Sequence, residues 1–201
     1  MTRIKICGIT SVDEAHCCLQ AGADAVGLVF AQSPRRVEPA LAREITASLP
    51  PFIQRVGVFV NAEKALVEQI ASYAGLTALQ FHGQEGADYC GSFSLPVIKA
   101  VAVKSGIDLA GLDDFPAAAI LFDAYDPLLA GGTGRTFNWK LVESRRKKPV
   151  VLAGGLHAGN VQSAILQLKP YAVDVSSGVE TNGKKDKAKI QAFIAAVRRC
   201  G

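Results

Sequence analysis

Two titratable side chains in the sequence, Cys7 and Asp123, have the chemistry of a base and an acid. A thiolate can remove a proton from carbon, and a carboxylic acid can protonate an oxygen. A free thiol ionises near about pH 8.5, so Cys7 needs a cationic or dipolar neighbour before it can act as a base at neutral pH. The alternative interpretation of Cys7 is a small buried hydrophobic residue. If the fold brings the two side chains to one site, they would move protons within a single substrate.

A second pattern predicts an anion site. Gly154-Gly155 and Ser176-Ser177-Gly178 each follow an apolar run. Glycines let backbone N–H groups approach an anion, and the hydroxyls of Ser176 and Ser177 add donors. We expect these two loops to bind a phosphate. Neither the P-loop pattern nor the Gly-x-Gly-x-x-Gly pattern occurs, which argues against a nucleoside triphosphate or a nicotinamide ligand.

Further polar residues follow other apolar runs. Arg36 supplies a planar, bidentate cation that suits a substrate carboxylate, and Arg35 competes for that role. His82 either lines the pocket or supports it from behind through a backbone hydrogen bond. The long connection 124–137 carries Gly132 and Gly134, a composition typical of a mobile lid or of a plain surface loop.

The elements that must position these residues are eight short apolar, β-branched runs with amphipathic segments between most of them. Continuous apolar runs are typical of buried parallel strands. Eight units in 201 residues, about 25 each, predict an α/β protein, a single-domain (β/α)₈ TIM barrel over residues 1–201. A doubly wound open sheet is the alternative. The predicted strands are Ile4–Cys7, Ala25–Phe30, Arg55–Val60, Ala78–His82, Val97–Ala100, Ala119–Asp123, Val150–Ala153 and Ala172–Val175.

Helical periodicity predicts which side chains face the barrel. Ser11 and Glu14 fit a capping box at the start of the first helix, and Gly22 fits its end. Short helices are predicted at 87–93 and 105–111. The predicted apolar stripes are Leu66, Ile70 and Tyr73; Val161, Ile165 and Leu168; and Ile190, Phe193, Ile194 and Val197.

In a barrel of this type the active site lies where the strands end, and alternate residues of each strand point inward. Lys5 and Cys7 therefore share the inner face of the first strand, and Asp123 points inward from the sixth. A buried lysine needs a partner, and Asp174 on the neighbouring eighth strand is the candidate.

Composition excludes several classes of protein. With 49% hydrophobic and 20% charged residues, the chain is globular, and charged residues interrupt every apolar stretch before it could span a membrane. The net charge of +4 and 7% aromatic residues do not favour nucleic-acid binding. Five cysteines without zinc-type spacing predict free thiols, no metal site and a cytoplasmic location.

The motifs together resemble the phosphoribosylanthranilate isomerase family of tryptophan biosynthesis over essentially the whole chain. That resemblance implies a (β/α)₈ barrel, no cofactor, a small phosphosugar substrate, and a monomer or homodimer. The motifs that carry it are Lys5-Ile6-Cys7-Gly8-Ile9-Thr10, Arg55-Val56-Gly57-Val58-Phe59-Val60-Asn61, Gln80-Phe81-His82-Gly83, Leu121-Phe122-Asp123, Gly131-Gly132-Thr133-Gly134, Leu152-Ala153-Gly154-Gly155-Leu156 and Asp174-Val175-Ser176-Ser177-Gly178-Val179-Glu180.

The family's reaction is an Amadori rearrangement of N-(5-phosphoribosyl)anthranilate to 1-(2-carboxyphenylamino)-1-deoxyribulose 5-phosphate. The resemblance implies that Cys7 removes the C2 proton and that Asp123 protonates the ring oxygen. It also implies that Arg36 holds the anthranilate carboxylate, that Gly155 and the Ser176-Ser177 loop hold the phosphate, and that 132–134 closes over the substrate. Asp126, three residues beyond Asp123, is assigned to the loop.

Two other functions are weighed against this one. A histidine-pathway aminoaldose isomerase would have an aspartate in place of Cys7, and indole-glycerol-phosphate synthase would have a catalytic lysine on inner strands and a longer N-terminal extension. A barrel that only binds a sugar phosphate has no need of both Cys7 and Asp123.

Overall fold

The computed structural model describes residues 1–102, 111–123 and 147–200. Eight parallel strands close into a barrel in chain order, which confirms the predicted (β/α)₈ architecture. The single domain over 1–201 stays a prediction. The predicted helix at 105–111, except Gly111, lies outside the described residues, as do the loop 124–137, Gly132, Gly134 and Asp126. The strands are β1 (Arg3–Cys7), β2 (Ala25–Val29), β3 (Gln54–Phe59), β4 (Ala78–Phe81), β5 (Val97–Ala102), β6 (Ala119–Asp123), β7 (Val150–Ala153) and β8 (Ala172–Val175).

Helices cover the outside of the barrel. Over the described ranges they are α1 (Val12–Ala21), α2 (Pro39–Ala47), α3 (Lys64–Ala74), the single turn α4 (Ala87–Cys90), α5 (Val161–Leu168) and α6 (Lys187–Arg198). A 3₁₀ turn at Ser177–Val179 and a short antiparallel ribbon of β9 (Glu180–Thr181) and β10 (Lys184–Lys185) follow β8. In the three described ranges, no helix is both long and apolar enough to cross a membrane.

The predicted helix faces are confirmed for α5 and α6; on α3 the prediction is confirmed for Ile70 and wrong for Leu66 and Tyr73. Leu66 and Tyr73 are 50% and 47% exposed, and the buried face consists of Val67, Ile70, Ala71 and Ala74. Small side chains on that face let α3 pack close to the barrel. The Tyr73 ring instead contacts the Arg43 guanidinium, whose carbon lies 5.0 Å from the ring centre.

Helix α1 has the predicted caps, and its N-terminal residues hold the loop that follows Cys7. Ser11 Oγ accepts a hydrogen bond from the Glu14 N–H, and Gly22 ends the helix in the left-handed region at φ 94°. The Glu14 carboxylate bonds to the N–H and hydroxyl of Thr10 rather than to Ser11, so only half of the capping box forms. It also accepts from the Lys185 N–H, which ties this loop to the ribbon.

Alternation along the strands separates two environments. Inward-facing residues form a small apolar cluster inside the barrel, whereas outward-facing residues join the main core beneath the helices. Phe81 belongs to the outer layer, with its ring centre 6.3 Å from Phe59, 5.2 Å from Tyr89 and 5.0 Å from Phe93. Only every second residue of a strand therefore points into the barrel, where a substrate could reach it. The inner cluster contains Ala100, Ala119, Leu121, Val151, Ala153 and Ala172.

Candidate functional site

A cavity of about 450 Å³ opens at the carboxyl ends of the strands. It brings together seven residues predicted from the sequence: Cys7, His82, Asp123, Gly154, Gly155, Ser176 and Ser177. Arg35 also lines this cavity, whereas Arg36 is not among the described residues that line it. Within the same described ranges, no group of three or more His, Cys, Asp or Glu side chains is arranged to hold a metal ion.

A larger cavity, of about 550 Å³, lies at the amino ends of the strands. Its lining is mainly apolar strand residues, and Gln80 contributes to both cavities. Cys7, His82 and Asp123 line the smaller one, at the end where (β/α)₈ barrels carry their active sites. The candidate site is therefore the smaller cavity.

Cys7 lies beside a buried ion pair. Lys5 Nζ is 2.8 Å from Asp174 Oδ2 between the adjacent strands β1 and β8, which confirms the predicted pair. Both side chains are nearly inaccessible, at 5% and 7% exposure. Burial raises the pKa of the Cys7 thiol, and the Lys5 ammonium opposes that rise. Burial alone would lower the pKa of Lys5, but Asp174 and Cys7 raise it, so Lys5 stays charged.

Gly27 leaves the space that Cys7 and Lys5 occupy, and its role was not predicted. It pairs with Cys7 across β1 and β2, and a Cβ placed on it would lie 2.7 Å from Cys7 Sγ and 3.0 Å from Lys5 Nζ. Any side chain there would displace one of the two groups. The signal in the sequence was a glycine inside an apolar strand, which often marks close approach of another group.

Asp123 is joined to His82 across the site. His82 Nε2 lies 3.1 Å from Asp123 Oδ2, and Gln80 Nε2 lies 3.4 Å from His82 Nδ1. With the Gln80 amide donating to Nδ1, the imidazole carries its proton on Nε2 and donates it to Asp123. Gln80 was not predicted, although it is a polar residue in an otherwise apolar strand. It fixes the ring that orients Asp123.

The two predicted phosphate loops meet at one side of the cavity. Gly154 and Gly155 have φ values of 89° and 61°, a region that favours glycine. A Cβ on Gly178 would overlap the Leu156 carbonyl oxygen, so the loops pack directly on each other. Ser177, whose side chain is exposed, begins the 3₁₀ turn. Backbone N–H groups of glycine-containing loops such as these can bind an anion.

The Ser176 hydroxyl, a predicted phosphate donor, is hydrogen-bonded within the protein. It donates to the Cys7 carbonyl oxygen at 3.0 Å and accepts from Lys185 Nζ at 3.2 Å. A hydroxyl has a single proton, and this one is used within the protein. Ser176 therefore fixes the end of β1 against the end of β8.

Arg35, Glu180 and Lys185 form a charged cluster at the rim of the site. Arg35 Nε and one terminal nitrogen donate to the two Glu180 oxygens at 2.7 Å each, and Lys185 Nζ also donates to Glu180. Burial alone would raise the pKa of Glu180, but the hydrogen bonds from Arg35 and Lys185 lower it to about 2. A Cβ on Gly8 would overlap the Arg35 side chain, so Arg35 lies directly over the residue after Cys7.

Glu180→Gln is expected to destabilise the protein in a pH-dependent way. The lowered pKa means that the ionised carboxylate contributes stability above its ordinary value of 4.5 and loses that contribution as the pH falls toward about 2. Urea unfolding at a series of pH values should show the variant less stable than the parent protein at neutral pH, with a gap that narrows in acid. A gap that is constant with pH would contradict this assignment. Glu38→Gln is the matched control, since Glu38 is 71% exposed and makes only a surface pair.

Arg36 points away from this cluster. Its guanidinium lies 3.2 Å from the Glu38 carboxylate, its side chain is 54% exposed, and its backbone pairs with Val29 at the end of β2. Exposed pairs of this kind contribute little to stability. Arg36 can therefore exchange Glu38 for another carboxylate at low cost.

The model of one protein family matches residues 4–196, and its description is N-(5'-phosphoribosyl)anthranilate (PRA) isomerase. The chain belongs to this family. It is thus an intramolecular isomerase, and the resemblance predicted from the motifs is confirmed.

Relatives and solved structures agree with this assignment. The chain is 50% identical over 201 residues to N-(5'-phosphoribosyl)anthranilate isomerase from Desulforudis audaxviator, covering 98% of both chains. The crystal structure of phosphoribosyl anthranilate isomerase from Thermotoga maritima has a TM-score of 0.91 and 44% identity, covering 99% of this chain and 100% of that one. A phosphoribosyl anthranilate isomerase in complex with reduced 1-(o-carboxyphenylamino)-1-deoxyribulose 5-phosphate has a TM-score of 0.88 and 42% identity, covering 99% and 100%.

Proposed function

We propose that this protein catalyses the Amadori rearrangement of N-(5-phosphoribosyl)anthranilate in tryptophan biosynthesis, with Cys7 as general base and Asp123 as general acid. The observation that carries the proposal is that both side chains line one cavity, beside two glycine-containing loops suited to a phosphate. The two catalytic groups come from β1 and β6, which β7 and β8 separate around the barrel. A substrate between them can be protonated from one wall and deprotonated from the other.

The chemistry balances without an added reactant. Asp123 gives its proton to the ring oxygen as the C1–O bond breaks, and the nitrogen lone pair forms a C1=N iminium. Cys7 thiolate takes the C2 proton, and the C2–H electrons form C1=C2 while nitrogen regains its lone pair. The enol O–H proton then returns to Asp123, and the thiol proton adds to C1. The aminoketose results, and both groups recover their starting protonation states.

Binding of the substrate is assigned to groups around this pair. We propose that the phosphate lies on the N–H groups of Gly154, Gly155 and Ser177, and that Ser176 contributes by holding the loop. His82 orients Asp123 and faces the substrate. Gly132 and Gly134 stay predicted substrate contacts outside the described residues.

Arg36→Ala is expected to raise KM for phosphoribosylanthranilate by about 10- to 100-fold, with a smaller effect on kcat. The expected size is that of one charge-assisted hydrogen-bonded pair, about 1.5–3 kcal/mol. Steady-state kinetics measure it, with Glu38→Ala as control because it removes the present partner of Arg36 and leaves the guanidinium free. If Arg35→Ala raises KM while Arg36→Ala does not, the carboxylate is held by Arg35 instead.

The activity itself is tested by incubating the purified protein with phosphoribosylanthranilate and following the loss of anthranilate-type fluorescence. We expect turnover, and we expect the gene to rescue a tryptophan auxotroph that lacks this isomerase. Turnover of the histidine-pathway aminoaldose alone would favour that second isomerase. Binding of the phosphosugar without turnover would identify a non-catalytic barrel.

We also propose that residues 1–201 form one catalytic domain, that the protein is a monomer or a homodimer, and that it is located in the cytoplasm. Sedimentation equilibrium distinguishes the two oligomeric states, and cell fractionation tests the location.

A further inference from the structure

We propose that Lys5 is a positioning residue that favours the thiolate form of Cys7, and that Asp174 limits how strongly it does so. This inference rests on the proposed function of Cys7 as the base. According to this inference, the buried Lys5–Asp174 pair controls how readily the Cys7 thiol ionises.

Lys5 and Cys7 are neighbours on the inner face of β1. One point, the position of a Cβ on Gly27, lies 2.7 Å from Cys7 Sγ and 3.0 Å from Lys5 Nζ, so both atoms lie against that glycine and are neighbours. The Lys5 ammonium acts on Cys7 through its charge and favours the thiolate. Because the ammonium is buried, water screens this interaction only weakly.

The charges around Cys7 come from four elements. Lys5 on β1 and Lys185 on β10 favour the thiolate, and Asp174 on β8 opposes it. Arg35, after β2, also interacts with Cys7 through its charge. His82 and Asp123 on the far wall act on Asp174 with opposite signs. Of these cations, Lys5 lowers the pKa of the Cys7 thiol the most, and it lies with Cys7 against Gly27, so its removal should have the largest effect.

Asp174 has two opposing effects on this arrangement. Its Oδ2 accepts from Lys5 and so keeps a buried ammonium charged, while its negative charge disfavours a second anion nearby. Its Oδ1 is buried and, in the described part of the chain, accepts no hydrogen bond. The Cys7 thiolate also raises the pKa of Lys5, so the ammonium is expected to stay charged beside the thiolate without the carboxylate. Removing the carboxylate should therefore strengthen the stabilisation of the thiolate by Lys5, whereas removing Lys5 should abolish it.

The test is the pH dependence of Cys7 alkylation by iodoacetamide, resolved by mass spectrometry of the Cys7 peptide. Lys5→Met is expected to move the alkylation midpoint to higher pH by about one unit or more, as for loss of an opposite charge within about 4–6 Å. Asp174→Asn is expected to move it to lower pH. Cys200, at the end of α6, is alkylated in the same samples and should keep its midpoint in both variants.

Opposite shifts are a readout that a purely structural role would not produce. The inference is overturned if Lys5→Met leaves the midpoint unchanged or if both variants shift it in one direction. Should Lys5→Met fail to fold around an unpaired Asp174, the double variant Lys5→Met/Asp174→Asn has no buried unpaired charge and must show a higher midpoint than Asp174→Asn alone. Turnover by Cys7→Ala tests separately whether Cys7 is the base, so the two proposals can fail independently.

Discussion

Replacing Cys7 by alanine is expected to lower kcat by about 10²–10⁴-fold, the usual contribution of a general base. The thiol lines the cavity. The proposed contacts to the phosphate and the carboxylate come from other residues, so KM should change much less. Steady-state kinetics on phosphoribosylanthranilate measure both parameters, and circular dichroism confirms that the barrel is intact.

Cys17→Ala is the matched control for this prediction. It removes a thiol from α1, on the outer side of the barrel, and should leave kcat close to that of the parent protein. Near-parental turnover by Cys7→Ala would show that another group removes the C2 proton. Cys7→Ser adds a graded comparison, since a hydroxyl occupies the same place with a much weaker tendency to ionise.

Asp123→Asn is expected to cost a similar factor, about 10²–10⁴-fold in kcat. The amide has nearly the shape of the carboxyl group and its oxygen still accepts the Nε2–H of His82, 3.1 Å away in the parent protein. It cannot give a proton to the ring oxygen. The loss should therefore appear in kcat with little change in stability, measured by thermal unfolding alongside the kinetics.

Asp126→Asn is the control for the acid. Asp126 lies three positions further along the chain, outside the described residues, and its substitution is expected to have a mild effect. The reverse result, with a large loss for Asp126→Asn and a small one for Asp123→Asn, would transfer the role of general acid to Asp126.

Strand alternation is the property that made the site predictable. Because a parallel strand directs every second side chain inward, Lys5, Cys7 and Asp123 could be assigned to the interior, and Asp174 could be matched to Lys5. The same rule explains why the Phe81 ring packs outside the barrel, against Tyr89, and not in the cavity that Cys7 and Asp123 line.

Loop conformation and single hydrogen bonds were not predictable in the same way. Arg35 and Arg36 are adjacent after β2, and only the backbone path decides that Arg35 crosses Gly8 to reach Glu180 while Arg36 meets Glu38. The Ser176 proton has several acceptors that the sequence cannot rank. On α3, bulky Leu66 and Tyr73 suggested the buried stripe, but the face that packs inward carries smaller residues.

The seam between β1 and β8 has a consequence for when the protein becomes active during its synthesis. Lys5 contacts Asp174, and Cys7 contacts Ser176, each across 169 positions of sequence. Contacts of such separation form late, because the intervening chain must first be ordered. The thiol of β1 is synthesised well before β8, where Asp174 and the following Ser176 complete its surroundings. Turnover should therefore appear only once β8 has paired with β1 and closed the barrel. In partly folded chains, the Cys7 thiol should react like that of any exposed cysteine.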